Sequence, residues 1–227
     1  MMPTRLTSQV LWANHERRVL NILTLALEML REDGDLDINE DGLNRKLCRR
    51  ILRANRIFWD QGEGIPSIPM YEAHNQPDAN DEERARREDK KPDFQWGLFD
   101  YSEPDLDKSA KIYVIECKRL GTPITKSWVF NKNYVKNGII RFLKAEYGYG
   151  KSVSSGVIVG YIRSMDFQDI LSEVNSCAEE ESLPEIMLSS DEWNEEGVSR
   201  LEEELQRPEV SPSPFNLRHL WADLRQQ

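Results

Sequence analysis

The chain has 227 residues, of which 39% are hydrophobic and 31% are charged, and its formal net charge is −10 at pH 7. This length and composition suit one globular domain with a sizeable core. The acidic balance argues against an isolated protein that binds nucleic acid tightly, because phosphate contacts need a basic surface. The sequence shows no long apolar run and no signal-peptide pattern, so we expect no membrane span. Its cysteines are widely spaced, which indicates reduced thiols and a cytoplasmic protein: Cys48, Cys117 and Cys177.

Two helices are predicted in the N-terminal part. Residues 8–32 are apolar around most of the helix circumference, which predicts a long buried helix. A second helix is predicted from the N-cap Asn39 to about Trp59, because apolar residues recur there at spacings of three and four. Its other side is basic and carries Arg45, Lys46, Arg49, Arg50, Arg53 and Arg56. This basic face is either a solvated surface or a surface that binds phosphates or an acidic partner.

A hairpin is predicted in the middle of the chain. Residues 68–73 are expected to form a first strand, and residues 78–90 an exposed helix or mobile loop. The strand-like run 94–99 is followed by turn-rich residues 102–107 and by an apolar strand over residues 111–118. Antiparallel pairing of the two runs would bring Asp93 beside Glu116.

The end of this apolar strand carries charged side chains, which are unfavourable to bury. Glu116 and Lys118 project from the same face because side chains alternate along a strand, with Cys117 on the other face. A sheet covered on both faces accepts such groups only when they are paired or bound to something. Two carboxylates and an ammonium at a strand end suit metal-assisted phosphodiester cleavage, in which the carboxylates hold Mg²⁺ and the lysine orients water.

The pair Pro92-Asp93, followed by Glu116-Cys117-Lys118 on an apolar strand, resembles the PD-(D/E)xK nuclease superfamily. The resemblance implies an α/β fold with a restriction-endonuclease-like mixed sheet flanked by helices. It also implies hydrolysis of DNA that depends on Mg²⁺, with Mn²⁺ as an alternative. Asp93, Glu116 and the Cys117 carbonyl would bind the metal, and Lys118 would position the water. A helix of this superfamily commonly adds an acidic ligand, for which Glu40 is the first choice, with Asp41 and Glu28 as alternatives.

A third helix is predicted over residues 131–146, followed by an apolar strand over residues 156–162 that pairs parallel with the Glu116 strand. Residues 134–142 resemble the helix that follows the ExK strand in several restriction-endonuclease-like proteins of phage defence. Its polar residues would border the site, and Lys136 is a candidate nucleic-acid contact together with Arg45, Arg49 and Arg53. The alternative is an ordinary amphipathic crossover helix.

The C-terminal part is predicted to decorate this core. We expect a helix at 165–181, a short strand at 185–188, a polar and acidic stretch at 191–206, a stiff spacer at 208–214 and a last edge strand from Phe215, for which a helix is the alternative. The whole chain is predicted to be one domain over residues 1–227, with a core at about 36–165 and residues 166–227 added to it.

The acidic composition and the lack of a recognition domain suggest that a protein partner or a homo-oligomer directs the chain to DNA, as in restriction or anti-phage systems. The rival interpretation is a catalytically inactive scaffold or inhibitor subunit that keeps the nuclease fold. In that case the acidic C-terminal region would serve as a protein-binding or DNA-mimicking surface.

Overall fold

A computed structural model describes residues 7–33, 36, 39–75, 82, 84–123, 125, 129–151, 153–189 and 193–225. The helices are α1 (Ser8–Arg31), α2 (Glu40–Asp60), α3 (Arg84–Glu88), α4 (Phe130–Lys136) and α5 (Phe167–Glu180). The strands are β1 (Met70–Tyr71), β2 (Phe94–Phe99), β3 (Ala110–Leu120), β4 (Ser155–Ile162), β5 (Met187–Leu188), β6 (Val198–Leu205) and β7 (Phe215–Asp223).

Across the described residues, the seven strands form one mixed sheet in the order β1-β2-β3-β4-β7-β6-β5. β4 runs parallel to both β3 and β7, and every other pair of neighbours is antiparallel. The predicted α/β class, the mixed sheet flanked by helices and the long N-terminal helix are therefore confirmed. No helix in the described ranges combines the length and apolar character that crossing a membrane requires.

The helices cover the two faces of the sheet separately. On one face, Trp12 of α1 donates a hydrogen bond to Ser155 of β4, and Asn44 of α2 accepts one from Tyr161 of β4. On the other face, Gly138, which follows α4, lies against Ile158. Residues 155 and 161 point away from residue 158 because strand side chains alternate. Both faces of β4 are therefore buried, which explains its apolar sequence.

The two helices predicted in the N-terminal part are confirmed as α1 and α2. α2 begins after Asn39, whose side-chain oxygen accepts a hydrogen bond from the Gly42 amide at 2.7 Å. The predicted third helix is wrong in its length, because α4 ends at Lys136 and a short 3₁₀ turn follows at Ile139–Phe142. Gly138 interrupts it with φ −118° and ψ −80°, outside helical values.

The predictions for the C-terminal part need a larger correction. β7 is not an edge strand, because it pairs with β4 on one side and β6 on the other. The acidic stretch 191–206 contains β6, whose exposed glutamates alternate with buried residues such as Leu201 and Leu205. The predicted first strand is reduced to β1, and the region 78–90 holds α3, while residues 78–81 and 83 lie outside the described residues.

Candidate functional site

The hairpin of β2 and β3 brings the two predicted carboxylates together. Phe94 pairs with Ile115, so Asp93 lies beside Glu116 at the end of the ladder. Asp93 Oδ2 accepts a hydrogen bond from the Cys117 amide at 2.6 Å, and its Oδ1 accepts one from Asn44 Nδ2 at 3.0 Å. Both oxygens of Asp93 are thus fixed by the backbone of β3 and by α2.

Lys118 lies at the point where the acidic groups meet. Its Nζ is 2.9 Å from Glu116 Oε1, 3.0 Å from Glu40 Oε1 and 3.8 Å from Asp93 Oδ2. It also donates a hydrogen bond to the Cys117 carbonyl at 2.6 Å. Burial alone lowers the pKa of Lys118, but the carboxylates of Glu116, Asp93 and Glu40 raise it above its usual value. The ammonium therefore stays charged and compensates the three acids.

Glu40 is the candidate acidic ligand from α2 that reaches this cluster. Its Oε1 contacts Lys118, and its Oε2 accepts a hydrogen bond from the Arg119 amide at 3.3 Å. The two alternatives are placed differently, since Asp41 is exposed on α2 and Glu28 accepts a hydrogen bond from Asn194. The N-cap at Asn39 places Glu40 in the first turn of α2, and the contacts of Glu40 join this turn to the end of β3.

Arg141 is the second cation of the site. Its Nη1 donates to Glu116 Oε1 at 2.5 Å, while the side chain of Glu116 is fully buried. The other carboxylate oxygen of Glu116, Oε2, is buried and has no hydrogen-bond partner among the described residues. Glu116 is thus compensated in charge by Lys118 and Arg141 but keeps one unsatisfied oxygen.

The environment of Asp93 favours its protonated form. Burial raises the pKa of Asp93 well above its usual value, and the nearby charges of Glu116 and Glu40 raise it further. Lys118 and the Cys117 amide oppose this effect without cancelling it. Buried acids that repel one another in this way are common at catalytic and metal-binding sites, although structural ion-pair networks also produce them.

A cleft of about 220 Å³ opens beside the acidic cluster. Its lining comes from α2, the end of β3, α4 and the 3₁₀ turn, and consists of Glu40, Lys118, Arg119, Phe130, Asn133, Asn137 and Arg141. The guanidinium of Arg119 lies 4.5 Å from the centre of the Phe130 ring. The cleft wall therefore carries three cations and two amides against one carboxylate.

The donor atoms of the cluster fit a hard divalent cation in their chemistry. Asp93, Glu116, Glu40 and the Cys117 carbonyl offer oxygen only, which suits Mg²⁺ or Mn²⁺, and Glu116 Oε2 is a buried acceptor in need of a partner. In the ranges that the structure describes, however, no three His, Cys, Asp or Glu side chains are grouped as metal ligands. The ammonium of Lys118 stands at the point where these oxygens converge.

The predicted nucleic-acid contacts lie in two places. Arg45, Arg49 and Arg53 are exposed along one side of α2, whose first turn carries Glu40, and form no ion pair with another described residue. Lys136 lies at the end of α4, where its Nζ is 2.7 Å from Glu181 Oε1. Its charge is therefore directed to the end of α5.

Sequence reasoning did not single out several residues that shape the site. The sequence alone indicates no role for Asn44 or Arg119, and it predicts Asn133, Asn137 and Arg141 only as polar residues of a helix that borders the site, without a role for any one of them. A signal did exist for the second group, because these residues alternate with the apolar face of a helix that follows the ExK strand. Asn44 carried no comparable signal, since a single buried asparagine in an amphipathic helix has no pattern.

No model of a protein family matches this chain, and neither a curated protein nor a solved structure matches it. The residues and the geometry of the cleft are therefore what indicates a function for this chain.

Proposed function

We propose that the chain is a metal-dependent nuclease that hydrolyses DNA phosphodiester bonds. The observation that carries this proposal is the convergence of Asp93, Glu116, Lys118 and Glu40 at one cleft at the end of β3. These residues are separated in sequence, and two of them are fully or almost fully buried charges. Burying these charges destabilises the folded state, and metal-assisted phosphodiester hydrolysis is a reaction that requires such groups.

The roles follow from the contacts. Asp93, Glu116, Glu40 and the Cys117 carbonyl would hold Mg²⁺ or Mn²⁺, which lowers the pKa of a bound water and neutralises charge on the phosphate. Lys118 donates hydrogen bonds into the same space and would orient the attacking water. The amide of Cys117 fixes Asp93, and Asn44 fixes it from the other side, so that its oxygens keep their directions.

The arrangement of elements supports a restriction-endonuclease-like core within this proposal. α2 precedes an antiparallel hairpin that carries Asp93 and the ExK residues, and α4 then connects β3 to the parallel strand β4. This is the order that the resemblance to the PD-(D/E)xK superfamily implies.

The substrate surface in this proposal is α2. Arg45, Arg49 and Arg53 extend over about 12 Å of helix, at 1.5 Å per residue, from the turn after Glu40. This stripe would bind backbone phosphates next to the cleft. Because the rest of the chain is acidic, we infer that a partner protein or a second copy in the cytoplasm directs it to DNA, as in a restriction or anti-phage system.

The competing function is an inactive scaffold or inhibitor subunit. One observation favours it: the acids of the cluster are already compensated by Lys118 and Arg141. On this interpretation the cluster is a structural ion-pair network, and divalent cations have no effect on it.

Incubation of supercoiled plasmid DNA with the protein, in Mg²⁺, Mn²⁺ or EDTA, tests the proposal. We expect nicking or linearisation with either metal, none in EDTA, and loss of cleavage in Asp93→Asn and Lys118→Met. Asp41→Asn is the matched control, because Asp41 is the exposed neighbour of Glu40 and should leave cleavage unchanged. Absence of cleavage by the wild type, or cleavage that survives both substitutions, would reject the nuclease.

A further inference from the structure

Arg141 is held in the cleft by the way its turn packs on the sheet. The 3₁₀ turn Ile139–Phe142 begins at Gly138, where an added Cβ would lie 2.5 Å from Ile158 Cδ1 and 2.3 Å from the Tyr134 carbonyl oxygen. Only glycine allows this close approach of the turn to β4. The position of Arg141 therefore follows from the buried sheet, whereas an arginine on a surface loop would have no such support.

The guanidinium of Arg141 is engaged on one side only. Its Nη1 donates to Glu116, and its Nε is buried and makes no hydrogen bond to a described residue. The side chain is 27% exposed and lines the cleft, with the Tyr147 ring 5.6 Å from its central carbon. A guanidinium has five N–H donors in a planar fork, so the contact with Glu116 leaves other N–H groups that can donate hydrogen bonds to a ligand.

The residues around Arg141 in the cleft favour the binding of an anion. Asn133 and Asn137 also line the cleft, and the Asn137 amide donates to Asn133 Oδ1 at 2.9 Å. Lys118 and Arg119 line it as well, and Lys118 Nζ lies 2.9 Å from the same Glu116 oxygen that Arg141 contacts. Glu40 is the one acid that lines the space among the described residues, so a phosphate group entering the cleft would meet three cations and two amide groups.

We propose that Arg141 is a phosphate-binding residue that contacts the DNA backbone in the cleft while Glu116 holds its guanidinium in orientation. This inference rests on the proposed function, since it assigns a substrate contact to the same cleft. Arginine suits the role because its planar guanidinium can donate two parallel hydrogen bonds to two oxygens of one phosphate, whereas a lysine ammonium acts as a point charge. Glu116 would then act twice, as an acidic ligand and as the anchor of the phosphate contact.

Fluorescence anisotropy with a short labelled DNA duplex, measured in EDTA over a series of salt concentrations, tests this role without cleavage. We expect Arg141→Lys and Arg141→Gln to weaken binding about tenfold, as for loss of a hydrogen bond to a charged group. The slope of log K against log salt should fall by about 0.9 in Arg141→Gln, as for one lost phosphate contact. Arg86→Gln is the control, because Arg86 also pairs with a glutamate, Glu146, but lies outside the cleft.

Arg141→Lys keeps a cation near Glu116 and should unfold at nearly the wild-type temperature. If it fails to fold, Arg141 is a structural partner of Glu116 and the inference is overturned. Unchanged affinity in both variants, or no binding by the wild type, overturns it equally. DNA binding that depends on Arg141 in a protein that never cleaves would instead keep the inference and remove the proposed hydrolysis.

Discussion

Lys118 allows three carboxylates to share one corner of the sheet. Its side chain is 10% exposed and contacts Glu40 and Glu116 directly, with Asp93 slightly farther away. Removing one partner of a buried ion pair leaves an uncompensated charge and costs roughly 3–5 kcal/mol. The same ammonium would orient water in the proposed reaction, so its structural and catalytic roles must be separated by experiment.

The first prediction separates them with Lys118→Met. In EDTA we expect the free energy of unfolding to fall by roughly 3–5 kcal/mol, because three acids lose their cation. Added Mg²⁺ should recover part of this loss, since a bound cation stabilises the folded state by mass action. Thermal unfolding with and without Mg²⁺ measures both effects. Lys132→Met, at a partly exposed ion pair on α4, serves as the control and should change little. A variant as stable as the wild type in EDTA would contradict this account.

The second prediction concerns the pH dependence of stability through Asp93. Its pKa is raised in the folded state, so the folded protein binds a proton more readily than the unfolded chain. The contribution of Asp93 to metal-free stability is therefore complete below its ordinary pKa and is lost as pH rises through the raised value. Each unit of the shift corresponds to about 1.4 kcal/mol. Asp93→Asn should therefore gain stability relative to the wild type as pH rises from 4 to 8 in EDTA, on top of a constant loss from the one hydrogen bond that its amide nitrogen cannot accept.

Denaturant unfolding in EDTA between pH 4 and pH 8 checks the prediction for Asp93. The stability of Asp93→Asn relative to the wild type should fall toward pH 4, where Asp93 is protonated in the folded protein and about half protonated in the unfolded chain. Burial raises the pKa of Asp100, but the hydrogen bonds that Lys111 and Ser102 donate to it lower the pKa below its usual value. Asp100→Asn should therefore lose stability relative to the wild type as pH rises. Parallel pH profiles for the wild type and Asp93→Asn would contradict the raised pKa.

The main residues of the site could be predicted because they lie on one hairpin. Period-two alternation placed Glu116 and Lys118 on one face, and antiparallel pairing placed Asp93 beside them. The position of Glu40 depended on the family resemblance, since no local pattern links the first turn of α2 to the end of β3. The sequence predicts Arg141 only among the polar residues that border the site, because its contact with Glu116 depends on how Gly138 meets Ile158, and that packing has no sequence pattern.

At the scale of elements, α2 combines a buried stripe with an exposed basic side. Leu43, Leu47 and Ile51 are fully buried, and Arg45, Arg49 and Arg53 are exposed between them along the helix. Like charges spaced four residues apart repel one another, so the stripe weakens the isolated helix slightly. The tertiary contacts of the buried side hold the helix and therefore permit this arrangement.

The third prediction tests this basic side of α2 with a triple substitution of Arg45, Arg49 and Arg53 by alanine. If all three bind phosphates, DNA affinity should fall for every sequence, and the salt slope should fall by about 0.9 for each lost contact. Thermal stability should change little, because the side chains are exposed. The control is Arg56→Ala, whose side chain pairs with Asp60 on the same helix. An unchanged salt slope together with an unchanged size-exclusion mass would make the stripe a solvated surface.

The helix after β3 shows where element prediction failed. The apolar spacing over residues 131–146 is compatible with one continuous helix, and it remains a correct description of which residues are buried, including Val135, Ile139 and Phe142. The backbone nevertheless leaves the helix after Lys136, and Gly138 then lies so close to β4 that an added Cβ would be 2.5 Å from Ile158 Cδ1. The periodicity thus indicated the buried face, and the bend that orients Arg141 came from tertiary packing.

At the scale of the whole molecule, the C-terminal strands complete the sheet that carries the site. β7 supplies the second neighbour of β4 along its entire length, and Trp221 of β7 packs closely against Gly160 of β4. Arg31 of α1 donates to the carbonyl of Asp223 at 2.7 Å, which ties the first helix to the last strand. The sequence predicts a strand from Phe215 but not its pairing with β4 and β6, because the alternation of apolar and polar residues does not specify which strands are neighbours in the sheet.

The fourth prediction is that residues 36–165 do not fold alone. Without β7 and β6, one edge of β4 is open, and without α1 one face of the sheet loses part of its cover and keeps only α2. We expect this fragment to lack a cooperative thermal transition and a native near-ultraviolet circular dichroism signal, whereas the full chain shows both. A fragment with a sigmoidal transition and a native spectrum would show that the last strands are dispensable.

The interior position of β7 also affects when the site forms during protein synthesis. A ribosome releases the chain from its N-terminal end at about 5–20 residues per second, so Glu40, Asp93, Glu116 and Lys118 emerge well before Phe215–Asp223. Until that segment appears, β4 has no partner on one side, and β6, although already made, has no strand to join it to β4. A nascent chain therefore carries every acidic residue of the cluster without the finished sheet that holds them in place. The proposed nuclease would become active only after β7 has been translated and has paired with β4 and β6.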